Sequence, residues 1–242
     1  MRLKPSVTDY LEGRAFSNGL LVDFDFDAAD RLFRSRIAWL QEICDDKNVI
    51  HAGCVDHDVA LIEHKRRRRK WLHGALSERA RRCHGIDRDR AGIAFLRDRL
   101  GFHDVECLDL VSETSEVVQS GQWDFLVLAE LLEHIDDPVA FLRSMAERYA
   151  SHVRRLLITV PNAFARENFR LARRHLEGTN SDHRYWFTPY TLTKVATRAG
   201  LRTDYLRLCR NGVVKRRSLL KNAYLRRHPL LRNNIILVAS FA

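Results

Sequence analysis

The stretch WDFLVLAELLEHIDDP, from Trp123 to Pro138, constrains the fold more than any other part of the chain. Phe125 to Ala129 is a short apolar run between polar residues, the pattern of a buried strand. Asp137-Pro138 closes the stretch, with Asp suited to cap a new helix and Pro to its first turn. Glu130, Glu133 and His134 fall between, at the carboxyl end of the expected strand. In open α/β sheets that edge is where ligands bind. The stretch therefore reads as the floor of an active site, or else as solvated loop acids beside a helix-flanking histidine.

A chain of 242 residues is long enough for one sizeable α/β core. No run approaches the roughly 18 apolar residues of a membrane span, and MRLKPSVTDYLEGR has no apolar signal core, so a cytoplasmic location is expected. The five cysteines show no C-x-x-C spacing, which argues against a zinc site and a disulfide framework. The net charge of +10 favours an anionic partner, or else serves solubility alone.

Taken in order, residues 1–48 read as an N-terminal wrap and a helix from Ala29, with Phe33, Ile37, Leu40 and Cys44 on one stripe. Val49 to Cys54 reads as a first strand entering a glycine turn at Gly53, where the absence of a Cβ lets backbone approach a ligand. The basic run Lys65–Lys70, in a basic insertion spanning 56–70, leads into a helix expected from near Arg69 to about Arg82. Placed there, the run opposes the helix dipole. Asp56, His57, Asp58 and His73 match no metal-ligand spacing, and no metal site is expected.

Cys83 to Asp87 reads as a second strand ending in an acid, the position from which a carboxylate accepts both hydroxyls of a ribose. The gap from Gly53 exceeds the usual ~20 residues by about the length of the basic insertion. Val105 to Leu110 reads as strand three, with Asp109 at its end; this acid is equally suited to cap a loop. Strand five, Leu156–Val160, runs into Pro161-Asn162. A basic helix at about 163–177 follows, suited to cover the site or to lie on an acidic membrane surface. Thr188-Pro189 starts another helix, Tyr205–Leu208 is a candidate sixth strand, and 213–234 is a basic excursion without acids. Ile235–Ala239 closes the chain as a final strand, expected antiparallel at the sheet edge.

The ordered series G53-C54, G-I-D-R-D, L-D-L, A-E-L-L-E-H, V-P-N and D-H-R-Y-W-F-T-P resembles the class I S-adenosylmethionine-dependent methyltransferases, in their small-molecule E-x-L-E-H form. The likeness covers about Val49 to Ala242. It implies a Rossmann-like, doubly wound, seven-stranded α/β sheet, mostly parallel with an antiparallel last strand, and S-adenosyl-L-methionine as cofactor. On the family's pattern Gly53, Cys54, His73, Asp87, Arg88, Asp109, Leu110 and Glu130 fall on the cofactor side, and Asn162, Tyr185 and Trp186 on the substrate side. His134 is the first candidate for a general base and His183 the second. The chain departs from the family at His51, which replaces the usual acid, and at Val55, which replaces the second glycine.

The implied reaction is O- or N-methylation of a small-molecule, glycan or lipid-linked acceptor, an anionic one among them, with peripheral membrane contact left open. A NAD oxidoreductase lacks its G-x-G-x-x-G here. A nucleic-acid acceptor is disfavoured, since no N-P-P-Y-like tetrapeptide and no series of stacking aromatics is present. A non-catalytic protein on the same scaffold is the remaining alternative.

Overall fold

The apolar runs form one seven-stranded sheet in the computed structural model, which describes residues 1–56, 59–68, 70–214 and 218–241. A two-residue ribbon pairs β1 (Arg2–Leu3) with β2 (Phe24–Asp25). The main sheet holds β3 (Asn48–Ala52), β4 (Arg82–Asp87), β5 (Val105–Cys107), β6 (Trp123–Ala129), β7 (Val153–Pro161), β8 (Leu201–Cys209) and β9 (Asn234–Phe241). Its order is β5-β4-β3-β6-β7-β9-β8. Strands β3 to β7 pair in parallel, so their carboxyl ends share one rim, and β9 is antiparallel to both neighbours. The last strand thus lies one place inside the sheet edge rather than at it. Asn234 to Ala239 are all buried, and such a run needs cover on both faces and pairing on both sides.

Alternation along β6 divides the core. Leu126 and Leu128 pack with Leu142, Met145, Leu192 and Ala196, whereas Phe125 and Val127 pack with Trp39, Leu40, Leu72 and Leu76. The described α-helices are α1 (Thr8–Glu12), α2 (Arg36–Ile43), α3 (Val59–Arg67), α4 (Leu72–Ser77), α5 (Arg90–Leu100), α6 (Glu116–Gln119), α7 (Pro138–Tyr149), α8 (Arg166–Ala172), α9 (Pro189–Arg198) and α10 (Leu219–Arg227), and α2, α4, α7 and α9 supply the helical residues just named. Helix α7 begins as the sequence predicts, with Asp137 accepting from the Ala140 N–H at 2.9 Å and Pro138 at the first position. Helix α9 begins with a Thr188–Thr191 capping box and Pro189.

Several boundaries differ from the sequence reading. The first long helix starts at Arg36, not Ala29, because the Ser35 hydroxyl caps it and residues 28–31 form a separate turn closed by Asp27 and Asp30. Residues 59–67 are themselves a helix, so Lys65, Arg66 and Arg67 occupy a last turn, where cations favour the dipole instead of opposing it. Arg69, His57 and Asp58 lie outside the described residues. The helix after the basic run is only Leu72–Ser77. Strand β5 ends at Cys107, leaving Asp109 in the turn beyond, and α8 stops at Ala172 with Phe169 half exposed.

The N-terminal wrap and the basic excursion are joined through Arg232, which is 1% exposed. Its guanidinium donates to the carbonyls of Asp30, Leu32, Leu208 and Leu225 at 2.7–3.1 Å. One buried arginine thereby satisfies backbone carbonyls of three segments.

Candidate active site

A cleft of about 840 Å³ runs along the rim formed by the carboxyl ends of β5, β4, β3 and β6. Gly53 follows β3 with φ of +77°, a conformation glycine adopts without strain, and its N–H donates to Ile86 O at 2.8 Å. A Cβ at Gly53 would meet no atom within 4 Å and would project into open space. Val55, where a second glycine is usual, does not fill the cleft. It is 1% exposed and packs with Ile62, Trp71, Ile93 and Leu96, in space left by Gly92.

Asp87 ends β4 with its carboxylate on the rim, where it accepts from the N–H groups of Val55 at 2.9 Å and Asp89 at 3.0 Å. Those bonds fix its orientation and leave lone pairs for a ligand. Asp109 accepts from the Val111 N–H at 2.8 Å, with Arg88 at 3.7 Å, and Leu108 and Leu110 give the same end of the cleft an apolar wall. Glu130, next along the rim after β6, has φ of +53°, a costly conformation for a residue with a Cβ. Its Oε1 accepts from Thr159 Oγ1 at 3.0 Å and from Asn234 Nδ2 at 2.9 Å.

His51 and His73 form a buried pair at the base of the cleft, with Nδ1 atoms 3.3 Å apart and rings stacked at 5.5 Å. Gly85 leaves the space that the His73 ring occupies. Burial, then the neighbouring His73, holds His51 well below the ordinary imidazole range, and burial pulls His73 down to about 4. Both are neutral at pH 7, so His51 brings no charge where the family pattern has an acid. Cys54 lies beside them, fully buried, and its thiol is pushed up by burial and by Asp87.

At the other end of the cleft, His134 directs Nδ1 to the Asp182 carboxylate at 3.0 Å. His183 stands edge-on to the His134 ring at 4.7 Å, with its Nε2 3.9 Å from Glu133 Oε1. Glu133 is fully buried with neither carboxylate oxygen hydrogen-bonded among the described residues, and burial, then Glu130, pushes it up to about 8. Glu133, His134 and His183 each offer one ligand atom, all within 4.8 Å of one another.

Of the residues singled out by sequence, Gly53, His73, Asp87, Arg88, Asp109, Leu110, Glu130 and His134 line the cleft. Cys54 and His183 lie behind its wall. Asn162 is fully buried and spends its amide on Leu230 O, Arg232 O and the Phe164 N–H. Tyr185 donates to Asp136 O at 2.6 Å, and Trp186 lines a separate hollow with Leu171 and Leu176. The sequence reading placed Glu133 in the acidic turn on the floor of the site without a specific role, and gave none to Arg36, which lines the cleft. E-L-L-E-H marks Glu133 but does not tell its burial; Arg36 sat off the apolar stripe and carried no signal.

A family model described as a methyltransferase domain matches residues 26–206. None of the curated proteins matches the chain. Among solved structures, the fold is similar to magnesium protoporphyrin IX methyltransferase from Synechocystis with bound SAH, at 15% identity and a TM-score of 0.52, covering 85% of this chain and 80% of that one. It is also similar to an S-adenosylmethionine-dependent methyltransferase from Clostridium acetobutylicum, at 8% identity and a TM-score of 0.52, covering 90% and 93%. A small RNA methyltransferase matches at 15% identity and a TM-score of 0.55, covering 90% of this chain but 27% of that one.

Proposed function

The chain belongs to the methyltransferase-domain family, and from that premise we propose that it transfers a methyl group from S-adenosyl-L-methionine to an oxygen or nitrogen of a small acceptor. The observation that carries this reading is the convergence of Gly53, Asp87, Asp109, Glu130 and His134 on one cleft. Its volume of about 840 Å³ is in the upper part of the ~300–1,000 Å³ range of small-molecule sites. The open space over Gly53 and the apolar wall of Leu108 and Leu110 fit a nucleoside there.

In this reading Asp87 accepts the ribose hydroxyls, and Asp109 accepts an N–H of the adenine amino group. When bound, the cofactor supplies an electrophilic methyl group on a positively charged sulfur. The chain's own contribution is positioning and proton removal. Asp182 fixes His134 with its proton on Nδ1, which leaves Nε2 free to take a proton from an acceptor hydroxyl. Ile135, Phe141 and Val213 shape the acceptor end with apolar surface. Small-molecule, glycan and lipid-linked acceptors all suit it. A nucleic-acid acceptor is less well supported, since Tyr185 and Trp186 stand outside the cleft with their polar groups bonded.

Thermal melts with S-adenosylhomocysteine test the reading. A ligand that binds only the folded chain raises the melting temperature. No shift at millimolar ligand would instead support a non-catalytic scaffold.

One observation favours a second reading of the acceptor end. The buried Glu133 carboxylate has no hydrogen-bond partner among the described residues, which is costly, and with His134 and His183 it forms a set of donors suited to a divalent cation. Asp182 behind His134 Nδ1 is the outer-shell partner that metal-ligating histidines commonly have. A cation there would acidify the acceptor hydroxyl and leave His134 a ligand rather than a base. Calorimetric titration of the chelator-treated protein with Mn²⁺ separates the two. Binding that is lost in Glu133→Gln supports the cation, and no binding at millimolar Mn²⁺ returns His134 to the role of base.

A further inference from the structure

The rim has an order, and that order assigns a role to Arg36. Asp109 follows β5, Asp87 ends β4, Gly53 follows β3 and Glu130 follows β6, and these are successive neighbours in the sheet. A nucleoside held by Asp87 and Asp109 continues past Gly53 toward Glu130. Arg36, from the first turn of α2, reaches that same place. Its Nη1 lies 3.6 Å from Glu130 Oε1 and donates to Thr159 Oγ1 at 3.2 Å.

The pair is sheltered and incompletely satisfied. The Arg36 side chain is 14% exposed and that of Glu130 22%, and the Arg36 Nε is buried without a hydrogen-bond partner among the described residues. A guanidinium has five N–H donors, and leaving them unused away from water is unfavourable. Glu130 takes its Thr159 and Asn234 bonds on Oε1 alone. The backbone of Glu130 is also held at positive φ, a cost that recurs where a side chain must be aimed at a ligand. His51, at the position of the family's usual acid, faces His73 in the interior and is neutral. Arg36 and Glu130 thus set one cation beside one anion at this part of the cleft.

We propose that Arg36 and Glu130 together receive an α-amino-acid zwitterion, the guanidinium taking the carboxylate and the carboxylate taking the ammonium. Resting on the methyltransferase reading above, the assignment gives this zwitterion to the amino-acid end of the cofactor. A planar guanidinium suits a carboxylate through paired N–H bonds, which a lysine cannot reproduce. The residues replace the lost acid of the first motif with a pair drawn from two other elements.

Two ligands test this, both titrated by calorimetry. S-adenosylhomocysteine carries the amino-acid end, and 5′-methylthioadenosine lacks it while keeping the nucleoside. Arg36→Met is expected to weaken S-adenosylhomocysteine at least ~30-fold and to leave 5′-methylthioadenosine within about twofold, with a smaller loss in Arg36→Lys. Glu130→Gln is expected to show the same selectivity. Equal losses for both ligands would locate the damage at the nucleoside site or in the fold and overturn the assignment. Unchanged S-adenosylhomocysteine binding in Arg36→Met would overturn it too, leaving an amino-acid-like acceptor as the zwitterion's source. Failure of the unsubstituted chain to bind either ligand would instead sink the cofactor reading itself, and the pair's assignment with it.

Discussion

Val55 Cγ2 lies 2.7 Å from the position that a Cβ on Gly92 would occupy, and Cγ1 is closer still. The first turn of α5 thus gives up a side chain so that a valine can stand in the turn after β3 without entering the cleft. In a helix interior alanine is ordinarily favoured over glycine by about 1 kcal/mol. Here the sign reverses. Gly92→Ala should cost about 1–3 kcal/mol through overpacking, and adding Val55→Ala should return most of that loss. Thermal melts of both single variants and the double variant give the coupling, and simply additive effects would mean that the two sites do not compete for one space.

The buried His51–His73 pair predicts an acid-sensitive fold. Both imidazoles have folded-state pKa values below the ordinary 6.5, His73 at about 4, so the unfolded chain binds more protons as pH falls. The stability is fully present above pH 6.5 and is lost as pH falls toward 4, with about 3 kcal/mol attributable to His73. Denaturant melts at intervals from pH 7.5 to 4 should show this decline. A flat profile down to pH 4.5 would mean that the pair is hydrated or already charged.

Arg232 predicts a stability effect without an effect on the cleft. Replacing it by Met leaves buried carbonyls of Asp30, Leu32, Leu208 and Leu225 without their donor. A loss of about 3–5 kcal/mol is expected, and Lys should rescue little because an ammonium cannot span four acceptors in that geometry. Chemical denaturation of Arg232→Met and Arg232→Lys checks both points; a loss below about 1 kcal/mol would mean that water replaces the guanidinium.

The rim of the sheet was legible because its signals are local. Apolar runs ending in Gly53, Asp87 and Glu130 each carry strand, turn and polar residue within a few positions. Asp137-Pro138 and Thr188-Pro189 likewise announce α7 and α9 by cap chemistry alone. What escaped depends on distance along the chain. The place of β9 inside the sheet follows from burial on both faces, which a short apolar run does not distinguish from an edge strand. Lys65 to Arg67 read as the start of a helix because Val59 to Ile62 is too short a run to declare the helix that they end. Asn162 was placed at the substrate by motif likeness, whereas its amide is consumed in holding the turn to Leu230 and Arg232. Arg36 meets Glu130 only through the tertiary fold.

Calorimetric titration of S-adenosylhomocysteine into the intact chain and into Asp87→Ala tests the central claim most directly. Saturable binding to the intact chain is expected, with a loss of at least ~100-fold in the variant because a charged partner of two ligand hydroxyls is removed. Because Asp87 also holds the Val55 and Asp89 N–H groups, melting curves of the variant must show that it is folded. Equal affinity in a folded Asp87→Ala, or no binding by the intact chain at millimolar ligand, would contradict that claim.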